Sequence, residues 1–181
     1  MMDKIVLAGF GGQGVMFIGK VLVYAGMLDD REVCWIPSYG PEMRGGTANC
    51  SVIVSEQEIN SPVIELADAG IVLNQPSFDK FRSHIKPGGV LVVNTSIVEI
   101  GSIPDTVRVI AIPASDIANE LGKPALANMV CLGALLPSLS LCTMKSIEKA
   151  MNKLVGKNKP EMYELNMAAI QKGLDVAASM K

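Results

Sequence analysis

The chain has 181 residues, with 16 Lys plus Arg against 18 Asp plus Glu and a net charge of −2. Its 49% apolar and 19% charged content excludes intrinsic disorder, and its length fits one domain over residues 1–181. The slightly acidic balance argues against a nucleic-acid surface, no apolar run reaches membrane-spanning length, and the first residues lack a signal-peptide layout, so a cytosolic chain is expected.

Lys4–Gly9 is a short apolar run closed by glycine, which reads as a buried strand. Gln13 to Met27 carries Val15, Ile18, Leu22 and Ala25 at helical spacing, so strand, glycine-rich turn and helix join without a gap. Glu32–Ile36 is a second short strand, Pro37 to Gly46 a loop dense in Pro, Gly and polar groups, and Thr47–Ser55 an alternating, β-branched strand. A short helical turn is expected over Pro62–Ala67, ahead of the strand Gly70–Asn74. Pro76–His84 fits a short helix, Lys86-Pro87-Gly88-Gly89 a turn, and Val90–Asn94 an apolar strand. Thr106–Ile112 adds another strand, Ala114–Leu121 a helix stopped by Gly122, and Ala125–Leu136 a largely buried helix. Thr143 is the expected N-cap of a helix that places Ile147, Ala150, Met151 and Leu154 on one face. The last helix opens at Pro160 and presents Tyr163, Met167, Ile170, Leu174 and Ala177. This alternation implies a three-layer α/β/α sandwich, Rossmann-like, around a mostly parallel sheet. The close pair Glu32–Ile36 and Thr47–Ser55 is where antiparallel character would enter.

Cys34, Cys50, Cys131 and Cys142 include no pair two or three residues apart, which excludes the close-spaced thiolates of zinc ribbons and ferredoxin clusters. Each reads as a small buried hydrophobe with a reduced thiol. His84, the single histidine, stands near a turn and reads as solvated, with no Cys/His pairing for nucleophilic catalysis. Asn94-Thr95-Ser96 matches a glycosylation triplet but reads as a strand end, and Lys153–Lys159 as a solvated helix end and turn.

Gly9-Phe10-Gly11-Gly12-Gln13-Gly14 satisfies G-x-G-x-x-G in the required place, after a strand and opening a helix. Glycines let backbone N–H groups approach an anion, and the helix N-terminus adds partial positive charge. A dinucleotide site also needs an acid ending the second strand. That strand ends Val33-Cys34-Trp35-Ile36-Pro37, with Asp29, Asp30 and Glu32 all before it and no Arg for a 2′-phosphate. A stand-alone NAD or NADP enzyme is therefore disfavoured. The loop is left as an anion site or as a tight turn that binds nothing.

Pro37-Ser38-Tyr39-Gly40-Pro41-Glu42-Met43-Arg44-Gly45-Gly46-Thr47 is the other unusual stretch. It reads as a rigid surface loop with Glu42 paired to Arg44, or as an anion clamp or docking loop in which Arg44 offers a planar fork of donors. If the strands are parallel, it shares the sheet edge of Gly9–Gly14.

GFGGQGV at Gly9–Val15, followed by SYGPEMRGGTANCSVIVS at Ser38–Ser55, resembles the gamma subunit of 2-oxoacid:ferredoxin oxidoreductases. Members of that family act on pyruvate, 2-oxoglutarate, branched-chain 2-oxoacids and indolepyruvate. The resemblance continues through Ile59-Asn60-Ser61-Pro62, Ala67-Asp68, Lys86-Pro87-Gly88-Gly89 and Asn128 to Gly133, nearly the whole chain. It implies decarboxylation of a 2-oxoacid on thiamine diphosphate, one-electron transfer through iron–sulfur clusters to ferredoxin, and acyl transfer to coenzyme A. Thiamine diphosphate and magnesium would sit in alpha and beta partners, and the clusters in a ferredoxin-like (delta) subunit or domain. The chain has no Gly-Asp-Gly segment followed by Asn–Asn, which agrees with that division. The gamma part is then a layer packed on the thiamine-binding parts, with a role in coenzyme A handling and no catalytic residue of its own. Its coenzyme-facing candidates are Gly9, Gly11, Gly12, Gln13, Gly14, Arg44, Gly45 and Gly46. The wording of Ser38–Ser55 leans toward 2-oxoglutarate, with branched-chain oxoacids next. A stand-alone nucleotide- or coenzyme-binding module and an NAD-linked dehydrogenase are the readings from other classes.

Overall fold

Among the described residues, six strands pair into one sheet: β1 (Met2–Gly9), β2 (Glu32–Ser38), β3 (Ala48–Ser55), β4 (Ala67–Val72), β5 (Ile85–Asn94) and β6 (Arg108–Ile112). The computed structural model describes residues 1–38, 48–156 and 158–180. The order across the sheet is β2–β3–β1–β4–β5–β6. β1, β4, β5 and β6 pair in parallel, while β3 runs antiparallel to both β1 and β2. The antiparallel character expected of the second and third strands is thus carried by β3 alone.

Among the described residues, six α-helices connect and cover the sheet: α1 (Val15–Leu28), α2 (Gln75–Phe81), α3 (Ala114–Glu120), α4 (Ala127–Leu135), α5 (Met144–Met151) and α6 (Pro160–Ser179). Period-two alternation sorts the strand side chains to two faces. Ile5, Leu7, Val52, Val54, Ile71 and Val92 turn toward α1, α3, α4, α5 and α6 in the larger core. Val6, Ala8, Val72, Leu91 and Val93 meet Phe78 and Phe81 of α2 on the other face. The sandwich therefore has three layers, one of them thin.

Two expected elements differ. No helical turn forms over Pro62–Ala67: the chain is irregular there and enters β4 at Ala67, with Val63 and Leu66 exposed. Six residues are too few to offset the cost of helix nucleation, and the apolar pair Val63 and Leu66 finds no core to pack on. Lys86-Pro87-Gly88-Gly89 is not a turn ahead of the strand but bulges inside β5, between Ile85, opposite Ala67, and Val90, opposite Ala69. Gly88 takes a positive φ of 78° and donates its N–H to the Thr106 carbonyl, so the bulge is tied to the chain entering β6. Of the cysteines, Cys50, Cys131 and Cys142 are buried as expected and Cys34 on the edge strand is half-buried.

α4 and α6 cross at glycine. A Cβ on Gly133 would meet the Ile170 backbone, and one on Gly173 the backbone carbonyl of Val130. The two helices touch main chain to main chain. Their N-terminal ends are thereby held at a fixed spacing beside the C-terminal edge of the sheet.

Buried or half-buried carboxylates bolt the remaining helices down. Asp3 in β1 is 4% exposed and accepts from the Ser140 and Leu141 backbone N–H groups, anchoring the approach to α5. Asp29, just past α1, accepts from Lys149 Nζ at 2.6 Å and from Ser146 Oγ, joining α1 to α5. These hydrogen bonds, that from Lys149 foremost, hold the Asp29 carboxyl below its ordinary value of 3.8. Its contribution to stability is present above the unfolded value and lost as pH falls through the lowered folded one. Asp29→Asn is expected to lower neutral-pH stability by about 1 kcal/mol and to flatten the acid limb of the urea-melt pH profile. An unchanged acid limb would remove Asp29 from the acid response.

Candidate functional site

The C-terminal ends of the parallel strands make one edge, and the glycine loop sits on it between β1 and β4. α1 leaves β1 toward one face and α2 leaves β4 toward the other. The loop therefore occupies the topological switch point, where open α/β sheets form their ligand crevice. Gly9 is buried at the end of β1 and serves packing, because a Cβ there would strike Gln13 Oε1 and Val15. Phe10 to Gln13 closes a turn through Gln13 N–H to Phe10 O, with Gly12 at φ 92°. Gly14, at φ 79°, is the N-cap of α1 and supplies no side-chain cap. That left-handed backbone starts the helix at Val15 rather than Gln13.

Gln13 is committed to the loop itself. Its Oε1 accepts from Phe10 N–H at 2.6 Å and from Asn74 Nδ2 at 3.2 Å, and its Nε2 donates to the Leu73 carbonyl. The backbone N–H groups of Gly11, Gly12 and Gly14 reach no protein acceptor among the described residues. They are free donors at the positive end of a 14-residue helix. Arg44, Gly45 and Gly46, with Glu42, lie outside the described residues. The chain ends that bracket them, Ser38 and Ala48, stand at the glycine-loop edge, since Ala48 pairs with Gly9 in the sheet.

Three clefts meet at Gly12. One of about 270 Å³ lies over the switch point, lined by Gln13, Leu73, Asn94, Ser115 and Asn128. A second, of about 580 Å³, runs between α1, the start of α4 and the start of α6. A third, of about 390 Å³, is apolar and faces Phe10, Phe17 and Ala48. Asn94 is more than a strand end: its Nδ2 donates to Ser115 Oγ and its Oδ1 accepts from Ser115 N–H, capping α3. Asn74 caps α2 in the same way through Ser77 N–H. Asn128, 6% exposed, donates Nδ2 to the Gly14 carbonyl and accepts from Met129 N–H. These asparagines and Lys123 are not legible as site residues in the sequence, because only tertiary structure carries them to the loop.

The three buried thiols are not poised as nucleophiles. Burial pushes Cys50 up to about 11 and Cys142 up to about 12, and raises Cys131 as well. None is a thiolate at neutral pH. Among the described residues no group of three or more His, Cys, Asp and Glu is placed to hold a metal, and His84 is exposed beside Phe81. No helix among them is long and apolar enough to cross a membrane.

A doubly wound sheet with open backbone donors at its switch point defines the class: a three-layer α/β domain with its glycine loop at the strand-end crevice. The chain belongs to the pyruvate ferredoxin/flavodoxin oxidoreductase family, whose pattern matches residues 4–176. It is 37% identical over 183 residues to the 2-oxoglutarate synthase subunit KorC of Methanocaldococcus jannaschii, covering 99% of this chain and 96% of that one. It is 33% identical over 175 residues to the ketoisovalerate oxidoreductase subunit VorA of Methanothermobacter marburgensis. That match takes in 96% of this chain but only 36% of the relative, so the chain spans about a third of that protein's length. The gamma subunit of a keto/oxoacid ferredoxin oxidoreductase from Geobacter sulfurreducens superposes with a TM-score of 0.83 at 29% identity, covering 98% of this chain and 99% of that one. A 2-oxoglutarate:ferredoxin oxidoreductase from Magnetococcus marinus, solved with 2-oxoglutarate, coenzyme A and succinyl-CoA, superposes with a TM-score of 0.89 at 26% identity. It matches 99% of this chain and 32% of its own.

Proposed function

We propose that this chain is the gamma subunit of a cytoplasmic 2-oxoglutarate:ferredoxin oxidoreductase and that its glycine loop helps hold coenzyme A. The observation that carries the substrate is the match to a 2-oxoglutarate synthase subunit over 99% of this chain and 96% of that one. The coenzyme part is supported by the unpaired N–H groups of Gly11, Gly12 and Gly14 beside clefts large enough for a nucleotide. In this reading the complex decarboxylates 2-oxoglutarate, passes two electrons singly to ferredoxin and releases succinyl-CoA and carbon dioxide. Thiamine diphosphate, magnesium and iron–sulfur clusters belong to alpha, beta and delta-type partners. This chain's own part is to bind and orient the coenzyme: the glycine N–H groups meet a phosphate, Gln13 keeps their turn rigid, and Arg44 meets a phosphate or a partner subunit.

The test is to tag the chain in its native host, purify it without oxygen and assay coenzyme A-dependent viologen reduction with several 2-oxoacids. Co-purifying larger subunits and fastest turnover of 2-oxoglutarate are expected. Fastest turnover of a branched-chain oxoacid would transfer the chain to that branch of the family. A lone, inactive, well-behaved monomer would favour a free-standing coenzyme-binding module. In the active complex, Arg44→Ala raises the coenzyme A requirement if Arg44 meets phosphate, and weakens assembly if it docks a partner.

A further inference from the structure

Two Lys-Pro steps open helical runs into the 580 Å³ cleft. Lys123 is the N-cap of the short turn Pro124–Leu126 that leads into α4, and Lys159 is the N-cap of α6. Each lysine is extended, with φ −146° and −147°, and the following proline takes the first helical position. The proline is ordinary there, but the lysine is not. N-caps favour Ser, Thr, Asp and Asn, and the positive end of a helix disfavours a cation. α2 and α5 obey that rule through Asn74 and Thr143. The two lysine caps stand together on one cleft.

Glu161, in the first turn of α6, is the acid nearest Lys159 in sequence and forms no ion pair with it among the described residues. No Asp or Glu lines the cleft, and neither lysine makes an ion pair among those residues. The half-buried Lys123 ammonium touches only the Met162 thioether, a weak acceptor. Its position is fixed from behind: Gly122, at φ 76°, donates to Asn119 O and Lys123 N–H donates to Ala118 O, closing α3 and turning the chain toward α6. Asn166, 5% exposed, also lines the cleft. Its Nδ2 donates to Met162 O, while its Oδ1 accepts no hydrogen bond among the described residues. Phe17, Leu126 and Leu154 supply apolar wall, and Leu154 sits in a π-helical segment, Asn152–Gly156, of a kind frequent at functional sites. Two cations on one cleft, an unused acceptor on a buried asparagine and an apolar wall suit a nucleotide that carries a phosphomonoester.

We infer that the cleft between Lys123 and Lys159 is a phosphomonoester subsite that makes this chain select coenzyme A by the 3′-phosphate of its ribose. The inference rests on the coenzyme A reading above and assigns its specificity to two residues outside the glycine loop. The phosphomonoester dianion meets both ammonium groups, and Asn166 Oδ1 accepts a hydroxyl or amino hydrogen of the nucleoside.

Coenzyme A and 3′-dephospho-coenzyme A differ only in that group. Calorimetric titration of the full chain, and KM measurement in the purified complex, are expected to favour coenzyme A by roughly tenfold or more. Lys123→Gln and Lys159→Gln each reduce that preference, the double variant abolishes it, and the affinity for dephospho-coenzyme A stays unchanged. Lys123→Arg retains the preference, which separates charge from packing, and unchanged melting temperatures exclude misfolding as the cause. Equal binding of both ligands by the wild type, binding of neither, or an undiminished preference in the double variant would overturn the inference. A complex that turns over 2-oxoglutarate with the preference intact in the double variant sinks the lysine pair and leaves the proposed function standing. A chain that discriminates through the lysines but supports no oxoacid turnover does the reverse.

Discussion

Gly173→Ala is expected to cost about 3 kcal/mol of stability or more, against the direction that helix propensity dictates. In the interior of a free helix alanine is favoured over glycine by about 1 kcal/mol. At Gly173 the added methyl is aimed at the Val130 carbonyl, which is main chain of α4 and has no rotamer to escape into. Overpacking of that kind costs about 1–3 kcal/mol even where side chains are free to adjust. Gly133→Ala meets the Ile170 backbone from the opposite side and is expected to behave alike. Urea denaturation of both variants measures the effect. Stability equal to wild type would mean that α4 and α6 separate without penalty, and that the cleft between their N-terminal ends is not held by this crossing.

The second large effect is on the coenzyme. Gly14→Ala is expected to raise the KM for coenzyme A at least about tenfold, or to abolish saturation. The residue sits at φ 79°, where an L side chain costs about 1–2 kcal/mol. Its Cβ would also collide with the Asn128 carboxamide, which is hydrogen-bonded to the Gly14 carbonyl. Relief of either strain swings the N-terminus of α1 and scatters the free N–H groups. The double variant Gly14→Ala/Asn128→Ala removes the collision but not the backbone strain. It is expected to recover part of the stability and little of the coenzyme affinity. Full recovery of affinity would assign the loop a packing role and leave coenzyme binding to other groups.

The strands and the long helices are legible in the sequence because one periodicity dominates each: β1 and β5 as apolar runs, α1 and α6 as stripes at helical spacing. The glycine loop is legible because its motif lies between a strand and a helix, the one context that gives it meaning. The turn expected at Pro62–Ala67 does not form, because proline marks a boundary without specifying the conformation beyond it. The bulge at Lys86–Gly89 resembles a turn ahead of a strand because its glycines and proline look the same in a turn and in a bulge. A parallel neighbour, not the local sequence, carries β5 through it. Asn74, Asn94 and Asn128 are single polar residues in apolar surroundings, and each looks like the edge of an element. Their common role at the ends of α2, α3 and the glycine loop depends on strands that meet only in the folded sheet. Lys123 and Lys159 are hidden for the opposite reason: surface lysines are ordinary, and only the cap assignment makes these two unusual.

The reversed strand β3 has a bearing on how such folds change ligand. In a dinucleotide-binding sheet the acid that grips the ribose hydroxyl ends the strand next to the glycine loop. Here β3 is wedged between β1 and β2, so the end of β2 lies two strand spacings away, about 10 Å rather than about 5 Å. An aspartate grafted onto Ile36 or Ser38 would overhang the wrong part of the crevice. The sheet's wiring, more than the missing acid, closes the route from this scaffold to a nicotinamide enzyme, and a pathway of point substitutions would have to re-thread a strand to open it.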